Sequence, residues 1–377
     1  MYISQLRLLN FRIYREAEVD LLPGVNLVLG ANGGGKTSLL EAIATLALTR
    51  SPRSASIADF ATWEHSEMGV SATLSAGSGK VNLEFRASRQ AEAGRWARRL
   101  RREGQPAGSR QMLGTLGVVL FWPEDLLLIK GGPEPRRRML DVVLSQLSPA
   151  YAESAVRYRR AVDHRNAVLR AIREGAARSA DLVPWSEALA THGTEIMAAR
   201  RGYLQQAGEV AAEAAAGMGE RGDVQLVYRP GLGGLRDQPE GDYARLLHAA
   251  MAPRLAEEIA RAQSLVGPHR DDFEVALGGQ PARQFASQGQ QRSLVLALKV
   301  AEVRRHVLDR GEAPVLLLDD VLSELDHVHR TGLIGLLSSG LHVEQTLITA
   351  TEEQGITAAV AVAQVLDVTQ GQARGRP

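Results

Sequence analysis

The chain has 377 residues, contains no cysteine, and carries 44 Lys and Arg residues against 43 Asp and Glu residues. The absence of cysteine excludes disulfides, Cys-ligated zinc, iron–sulfur clusters and thiol nucleophiles. The balanced charge means that any nucleic-acid contact must come from a local cluster of basic residues. Met1–Arg7 lacks the apolar stretch of a signal peptide, and the chain has no run of about 18 apolar residues that could span a membrane. We therefore expect a cytoplasmic protein without a membrane partner.

The first third of the chain predicts strands, with one helix after a glycine-rich loop. Polar and apolar residues alternate over Tyr2–Phe11, which predicts a strand. The short apolar run Val25–Leu29 predicts a buried strand that leads into the loop, and the apolar positions after Lys36 follow helical spacing. A hairpin around Gly77–Gly79 and a buried strand at Val118–Phe121 complete this region.

The middle of the chain changes character. From about residue 133 to residue 263 it is rich in Ala, Arg and Glu with helical spacing, but helix breakers interrupt it at Pro149, Gly175, Pro184, Gly193 and Gly202. A long coiled coil would need unbroken heptads. Several packed helices of ordinary length are therefore expected.

The α/β pattern then returns. A helix is expected over Ser287–Asp309, buried strands at Val315–Leu318 and Gln345–Ile348, and a frayed tail after Gln370. The predicted fold class is α/β: a P-loop head with a mixed sheet and flanking helices, with a mostly helical lobe inserted in it. We expect residues 1–122 and 264–377 to form the head and residues 123–263 to form the lobe.

Eight consecutive residues match the phosphate-binding pattern GxxxxGK[ST]: Gly30, Ala31, Asn32, Gly33, Gly34, Gly35, Lys36 and Thr37. Glycines let backbone N–H groups turn toward phosphate oxygens, and the helix that follows presents its positive N-terminus. We expect Lys36 to reach the β- and γ-phosphates of ATP and Thr37 to bind Mg²⁺. The alternative is a glycine-rich turn before an ordinary helix, but the strand before the loop and the helix after it favour a nucleotide site.

Two acids, Asp319 and Asp320, follow the apolar run Val315–Leu318. The end of a buried strand places Asp319 at the carboxyl edge of the sheet, where it can bind Mg²⁺ together with Thr37. Asp320 is expected to position or deprotonate the attacking water. Two acids after a strand are common and by themselves do not indicate a site. Together with the phosphate-binding loop in the same chain, they indicate a site for Mg²⁺ and the attacking water. The predicted catalytic residues are Lys36, Asp319 and Asp320.

A second nucleotide-contacting element is expected where the helix over Ser287–Asp309 begins. Its first residues resemble the signature motif of ABC ATPases: Ser287, Gln288, Gly289 and Gln290. The serine and the exposed N–H groups of such a helix would meet the γ-phosphate bound by a second subunit. Ser287 can also be a plain N-cap, and the two roles are compatible. Because Ser323–Asp326 also resembles the D-loop of this superfamily, the order of motifs predicts an ABC-type head.

Two departures from transporter-type heads predict slow hydrolysis. The stretch Ile348–Thr351 lacks the switch histidine of those heads, and Asp320 stands where a longer Glu is usual. We therefore expect the nucleotide to act more as a dimerisation switch than as a source of energy.

Further short sequence segments resemble the RecF family within the ABC superfamily, and this resemblance spans nearly the whole chain. They are Leu9–Tyr14, Pro123–Asp125, Ile129–Pro133, Arg136–Asp141, Gly267–Asp272 and Leu318–Asp326. Met139 departs from the aromatic residue expected at its place. SMC proteins resemble this head too, but they insert a far longer coiled coil than the segment between Pro133 and Gln263.

The resemblance to the RecF family implies a protein that binds ATP with Mg²⁺, closes as a homodimer on ATP, and binds single-stranded and gapped or junction DNA. It implies RecO and RecR as partners in loading the recombinase at gaps, with roles in replication and the SOS response. It also implies a weak, DNA-stimulated ATPase activity.

The DNA contacts are expected in a basic stretch that contains Arg95, Arg98, Arg99, Arg101 and Arg102. A solvated face of a hairpin or helix explains these residues equally well. An equal candidate lies in the predicted lobe and contains Arg157, Arg159, Arg160, Arg165 and Arg170. Arg136–Arg138 could instead pair with carboxylates inside the head, while His269 and Arg270 could support the nucleotide site.

Three other functions fit parts of the sequence. An ATPase subunit of an ABC transporter should carry the switch histidine and need a membrane partner. A P-loop kinase of a small metabolite would leave Ser287–Gln290 without a role. A scaffold would bind ATP without turning it over.

Overall fold

The structure is a computed structural model that describes residues 1–54, 56–62, 65–77, 79–90, 95–233, 242–321, 343–353, 356–357 and 360–376. The strands are β1 (Tyr2–Phe11), β2 (Tyr14–Asp20), β3 (Gly24–Leu29), β4 (Glu67–Ala76), β5 (Gly79–Arg89), β6 (Trp96–Arg102), β7 (Gln105–Pro106), β8 (Val118–Phe121), β9 (Val224–Arg229), β10 (Asp272–Leu277), β11 (Gln280–Pro281), β12 (Val315–Asp319), β13 (Gln345–Ala350), β14 (Val362–Thr369) and β15 (Gln372–Gly375). The α-helices are α1 (Lys36–Leu48), α2 (Ser109–Met112), α3 (Leu127–Lys130), α4 (Pro133–Leu147), α5 (Pro149–Arg173), α6 (Val183–Gly217), α7 (Tyr243–Met251), α8 (Leu255–Arg261), α9 (Ala282–Phe285) and α10 (Gln288–Arg310).

The chain divides into two compact units. Unit 1 consists of Met1–Asp125, Gly217–Glu220 and Arg292–Pro377, and unit 2 consists of Leu126–Ala216 and Arg221–Gln291. Both units are therefore built from segments that are distant in the sequence. Across the described residues, no helix is both long enough and apolar enough to cross a membrane.

The phosphate-binding loop lies on a buried sheet of unit 1 with the strand order β15-β14-β3-β13-β12-β8. Strands β14, β3, β13, β12 and β8 pair in parallel, and β15 is antiparallel to β14. The strands β8, β12 and β13 are buried along their whole length. Burial on both faces explains the continuous apolar runs of β8 and β12. In β13 the polar residues Gln345, Thr346 and Thr349 are buried as well. Because β3 and β12 run parallel, their carboxyl ends lie at the same edge of the sheet.

The other sheet of unit 1 has the strand order β2-β1-β4-β5-β6-β7, and all its pairings are antiparallel. The expected hairpin of β4 and β5 is confirmed. Apolar side chains of one face are buried, among them Leu6, Leu8 and Phe85. Gln345 on β13 joins the two sheets, since its Nε2 donates to the Ile3 carbonyl (2.9 Å) and its Oε1 accepts from the Ile3 N–H (2.8 Å).

Unit 2 contains helices α4 to α8, together with a sheet of strand order β11-β10-β9 among the described residues. The expectation of helices of ordinary length was wrong for α6, whose 35 residues run through Pro184, Gly193 and Gly202. Pro184 is tolerated because it stands in the first turn of the helix, and Gly193 allows close packing against Leu247. Residues 264–291 group with this unit, although we expected the head to resume at residue 264. The reason is that β10 pairs with β9 along its whole length, from Asp272–Arg229 to Leu277–Val224. The run Val224–Tyr228 indicates a strand, but the sequence does not show that this strand pairs with β10.

Buried ion pairs hold unit 2 together. Arg165 and Glu258 are 2% and 0% exposed, and their atoms Nη2 and Oε2 are 2.6 Å apart. Arg200 donates from Nη1 to Asp271 (2.9 Å) and from Nη2 to Asp141 (2.7 Å). Burial raises the pKa of Asp271, and the positive charge of Arg200 is the largest influence that opposes this rise. A buried carboxylate of this kind depends on its counter-charge.

The expectation for the end of the chain was also wrong. The residues after Gln370 were expected to be frayed, but Gln372–Gly375 form β15, antiparallel to β14. The side chain of Arg376 pairs with Asp367 (Nε to Oδ2, 2.6 Å) and with Glu353 (Nη1 to Oε2, 2.6 Å). A tight turn with positive φ at Gln370 and Gly371 makes this hairpin, which polarity alone does not reveal.

Candidate nucleotide-binding site

The phosphate-binding loop joins β3 to α1 at the carboxyl edge of the buried sheet. Glycine is required at several of its positions. A Cβ on Gly30 would lie 2.2 Å from the carbonyl oxygen of Val368 on β14, and Gly35, at φ +114°, would place a Cβ 2.8 Å from Ile13 Cδ1. At Gly33, φ is +78° and a Cβ would have no heavy atom within 4 Å, so the loop is open on that side. The loop therefore packs closely against the protein at Gly30 and Gly35 and is open at Gly33, which suits a loop that surrounds a ligand.

Lys36 and the start of α1 supply positive charge to this loop. The Lys36 ammonium donates to the carbonyl oxygens of Gly30 (2.7 Å) and Ala31 (3.1 Å), so the side chain folds back along the loop. Helix α1 has Gly35 as its N-cap, without any side-chain cap, which leaves its first N–H groups available to an anion. The hydroxyl of Tyr14 donates to the Gly35 carbonyl (3.0 Å) and supports the loop from below.

Thr37 and the acids after β12 come together, as the sequence predicts. The Thr37 hydroxyl lies 3.0 and 2.9 Å from the two carboxylate oxygens of Asp319. Thr349, on the neighbouring strand β13, donates its hydroxyl to Asp319 Oδ1 (2.8 Å) and accepts the N–H of Asp320 (2.9 Å). Thr349 was not singled out in the sequence, where its stretch was noted only for lacking a histidine.

Asp320 has an unusual backbone. Its φ is +52°, in the left-handed region that residues other than glycine rarely adopt. The hydrogen bond from its N–H to Thr349 holds it there. Backbone strain of this kind is often found at functional sites, where the surrounding structure fixes the position of a side chain.

The donors around Asp319 suit a magnesium ion. Thr37 and Asp319 offer oxygen atoms, which Mg²⁺ prefers, and no group of three or more Asp, Glu, His or Cys side chains that could hold a metal exists in the described ranges. Mg²⁺ typically takes one or two protein ligands and completes its shell with water and phosphate oxygens. Burial raises the pKa of the Asp319 carboxyl, and hydrogen bonds from Thr349 and Thr37 oppose the rise only in part. A nearby cation would favour the ionised carboxylate.

A basic residue that the sequence reading missed also acts on Asp319. The positive charge of Arg53 is among the influences that lower the Asp319 pKa. Arg53 Nη1 lies 3.8 Å from Glu41 Oε2, its guanidinium lies 5.9 Å from the centre of the Trp122 ring, and its side chain is 42% exposed. Glu41 is fully buried on α1 and also binds Arg12, with oxygen–nitrogen distances of 2.7 and 2.9 Å. A single arginine after a helix is not a motif, so no sequence signal pointed to it.

The predicted signature residues form an exposed helix start in unit 2. Gln290 N–H donates to Ser287 Oγ (3.2 Å), and Ser287 N–H donates to Gln290 Oε1 (2.9 Å), which is a reciprocal capping box. The N-cap interpretation of Ser287 is therefore confirmed. Ser287 and Gln288 are exposed, and Phe285 just before them is 65% exposed. The hydroxyl and the backbone of this turn remain accessible to another molecule.

A buried charged cluster ties the later part of α10 to the segment after β8 within unit 1. Lys299 Nζ lies 3.4 Å from Asp125 and 3.5 Å from Glu302, and 5.8 Å from the centre of the Phe121 ring. Burial raises the pKa of Glu302 to about 7, against the lowering effect of Lys299. Phe121 stands beside Leu318 of β12, so this cluster adjoins the strand that carries Asp319.

The predicted DNA-contacting arginines separate into two groups on β6. Leu100 is buried, and alternation along the strand turns Arg99 and Arg101 toward the opposite, solvent-exposed face. Arg98 and Arg102 share the side of Leu100 and donate to oxygens of Thr49, Ser109 and Gln111. On the solvent face, Arg99 stands opposite Arg86, and Glu84 interacts with both Arg86 and Arg101. Arg95 is exposed before the strand.

Other candidate residues have structural roles within unit 2. Arg136 binds Asp272 through Nε (2.6 Å) and Nη2 (2.8 Å), so the predicted pairing of this arginine with a carboxylate is confirmed. The pair lies within unit 2 and not in the head as expected, because β10 groups with unit 2. His269 lies 2.6 Å from the Tyr158 hydroxyl and 2.9 Å from the Ser264 carbonyl, so both ring nitrogens are occupied, and burial lowers its pKa to about 4. The D-loop prediction, Ser323–Asp326, lies outside the described residues.

Sequence comparison relates the chain to known proteins over almost its entire length. The profile of the family described as RecF/RecN/SMC N terminal domain matches residues 2–374. The DNA replication and repair protein RecF of Heliobacterium modesticaldum is 41% identical over 345 residues, which cover 90% of each chain. The protein of the same description from Chloroflexus aurantiacus is 39% identical over 371 residues, which cover 93% of this chain and 94% of the relative.

Structural comparison agrees. The structure of the recombination mediator protein RecF-ATP in the RecFOR pathway matches with a TM-score of 0.89 at 27% identity, covering all of this chain and 98% of that one. A structure of an SmcHead bound to the C-winged helix domain of ScpA matches with a TM-score of 0.56 at 15% identity, covering 100% and 97% of the two chains, and shows the fold alone. The expected α/β fold of an ABC-type head is thereby confirmed. Nothing in these similarities supports a transporter subunit.

Proposed function

The chain belongs to the RecF family, and from this membership we propose that it is an ATP-switched DNA-binding protein of DNA replication and recombinational repair. The observation that supports the proposal is the contact between Thr37 of the phosphate-binding loop and Asp319 at the end of β12, two residues that would share a nucleotide site in unit 1. The proposal includes slow, DNA-stimulated ATP hydrolysis, a cytoplasmic location, and cooperation with RecO and RecR at single-strand gaps. RecO and RecR rest on family resemblance.

Each residue of the site has a physical role in this proposal. The loop Gly30–Thr37 and the uncapped start of α1 would bind the phosphates through backbone N–H groups, and Lys36 would exchange its loop carbonyls for phosphate oxygens. Thr37 and Asp319 would hold Mg²⁺, which neutralises developing charge when it is bound. Thr349 orients Asp319 and fixes the backbone of Asp320, whose carboxylate would position the attacking water.

The proposal also includes a composite site in a homodimer. Ser287 and Gln288 are exposed, and the positive end of a helix at an exposed position suits the γ-phosphate held by a second copy. ATP would then stabilise the dimer by binding both subunits at once, and hydrolysis would release it. The closed dimer would act as a clamp on DNA.

We expect Ser287→Arg to abolish the ATP-dependent dimer. The long cationic side chain would occupy the space of the γ-phosphate and prevent the second subunit from closing. The measurement is the molar mass in solution with Mg-ATP, with and without a short gapped duplex. The parent should shift from 40.7 kDa to twice that value on ATP, and the variant should stay at 40.7 kDa.

A second substitution separates this effect from damage to the helix. Ser287→Asp preserves the N-cap, because Asp caps helices as well as Ser does, but it brings a negative charge to the γ-phosphate. It should leave the melting temperature unchanged and still give a monomer. A parent that remains monomeric with ATP and DNA would overturn the composite site.

For DNA binding, we expect Arg99→Glu with Arg101→Glu to weaken affinity for a duplex junction at least tenfold. Both side chains lie on the solvent face of the antiparallel sheet beside Arg86, so they can contact phosphates. Loss of two phosphate contacts should also reduce the slope of log K against log salt by about 1.8. Fluorescence anisotropy over a series of salt concentrations measures both quantities.

The matched control is Arg15→Glu with Lys80→Glu, which makes the same change in charge at two other exposed positions of unit 1. It should reduce the affinity much less. Equal losses in both double variants would mean that only the overall charge matters, and the assignment of this face would be wrong.

A further inference from the structure

Helix α5 of unit 2 presents a solvent face that is rich in arginine. Its buried side contains Tyr158, Ala161 and Leu169. On the exposed side stand Arg159, Arg160, Arg170 and Arg173. Arg159 and Arg170 are three helical turns apart, so their Cα atoms are separated by ~16 Å along one line of the helix. A linear row of this length matches an extended polyanion better than a single small anion.

The charges on this face are not neutralised within unit 2. None of these four arginines forms an ion pair with a described residue, whereas Arg157 pairs with Glu153 and Arg165 is buried against Glu258. Two carboxylates, those of Asp163 and Glu174, share the exposed side. An excess of positive charge therefore remains in contact with solvent.

An aromatic pair borders the same face. The imidazole of His164 stacks on the indole of Trp185, with ring centres 4.3 Å apart and planes inclined by 12°. His164 is exposed and stands one turn after Arg160, while Trp185 is half-buried. Only 5% of the residues in this chain are aromatic, so an exposed ring that is held flat beside free arginines is a distinctive combination.

We propose that this face binds an unpaired DNA strand, and we name it the α5 surface (Arg159, Arg160, His164, Arg170, Trp185). The arginines would contact phosphates spaced along the strand, and a base would stack on the His164–Trp185 pair. Bases in a duplex are already stacked, so an exposed ring favours single strands over duplex. The inference rests on the proposed DNA-binding function and deepens it, because a gapped DNA offers both a duplex and an unpaired strand.

The test compares labelled oligo(dT) with a labelled duplex, using the full chain and Mg-ATP. Arg159→Glu with Arg170→Glu should weaken oligo(dT) binding about tenfold or more and reduce its salt slope by about 1.4. His164→Ala should weaken it about fivefold with an unchanged salt slope, because it removes stacking and no phosphate contact. Duplex binding should change much less in both. Quenching of tryptophan fluorescence by oligo(dT) should be smaller in Trp185→Phe than in the parent.

The matched control is Arg221→Glu with Arg245→Glu, two exposed positions of the same unit with the same change in charge. It should bind oligo(dT) nearly as the parent does. The inference is overturned if the α5 variants bind oligo(dT) like the parent, which would leave this face for an acidic protein, or if they lose duplex and oligo(dT) binding equally. Failure of the parent to bind either DNA would instead contradict the proposed function itself.

Discussion

Replacement of Asp319 by Asn lowers the rate of ATP hydrolysis by about 100-fold or more. The substitution keeps the shape of the side chain and removes its charge. Both carboxylate oxygens face the Thr37 hydroxyl, so this is the position where a magnesium ion would meet protein oxygen atoms. Without the charge, Mg²⁺ is held poorly and the charge that develops on the phosphates is not neutralised. Single-turnover hydrolysis with Mg-ATP is the measurement.

Two comparisons make this result specific. ATP binding in the presence of EDTA should be unchanged in Asp319→Asn, because no metal takes part. Thr349→Val removes the hydroxyl that binds both Asp319 and the Asp320 N–H, so it should slow hydrolysis, whereas Thr351→Val at an exposed neighbouring position should not. If Asp319→Asn retains a tenth of the parent rate, the assignment of the metal ligand is wrong.

The largest loss of stability is expected for Arg200→Met in unit 2. This arginine is 4% exposed. It donates hydrogen bonds to Asp271, Asp141, the Tyr151 hydroxyl and the Pro268 carbonyl. Its removal leaves the fully buried Asp271 without its main counter-charge. Breaking a buried ion pair from one side costs ~3–5 kcal/mol, a large part of the stability of an ordinary domain.

Hydrogen–deuterium exchange is the suitable measurement, because it follows unit 2 separately from unit 1. Peptides from α5 and α6 should lose protection by roughly two to four orders of magnitude, because exchange through global opening reports the whole loss of stability. The control is Arg157→Met, which breaks an exposed pair with Glu153 and should cost less than about 1 kcal/mol. Similar losses in both variants would show that the Arg200 network is not a main support of unit 2.

The sequence predicts those parts of the site that are local. A strand, a glycine-rich loop and a helix follow one another between Val25 and Leu48, so the phosphate-binding loop can be recognised without knowing the fold. The same holds for Ser287, whose cap needs only Gln290 three residues later. The order of the motifs along the chain predicted the ABC-type head, and the family resemblance carried the prediction of DNA, RecO and RecR as partners.

Features that depend on strand pairing could not be predicted. Thr349 reaches Asp319 only because β13 lies beside β12, and the left-handed backbone of Asp320 depends on the same contact. The two roles of the basic residues on β6 depend on which face each residue takes, and a strand's register decides this. The boundary of unit 2 depends on the pairing of β9 with β10, which brings together segments from either side of α7 and α8.

The position of β3 in its sheet bears on how the protein is made. Its neighbours, β13 and β14, lie far toward the other end of the chain. At about 5–20 residues per second, a ribosome completes them on the order of tens of seconds after β3 has emerged. Throughout that interval the strand has no partner on either edge, and unpaired edges are where a chain recruits others. The nucleotide cannot assist early folding, because the phosphate-binding loop lacks its neighbouring strands until synthesis is nearly complete. We therefore expect newly made chains to depend on chaperones, and refolding to be slow and sensitive to protein concentration.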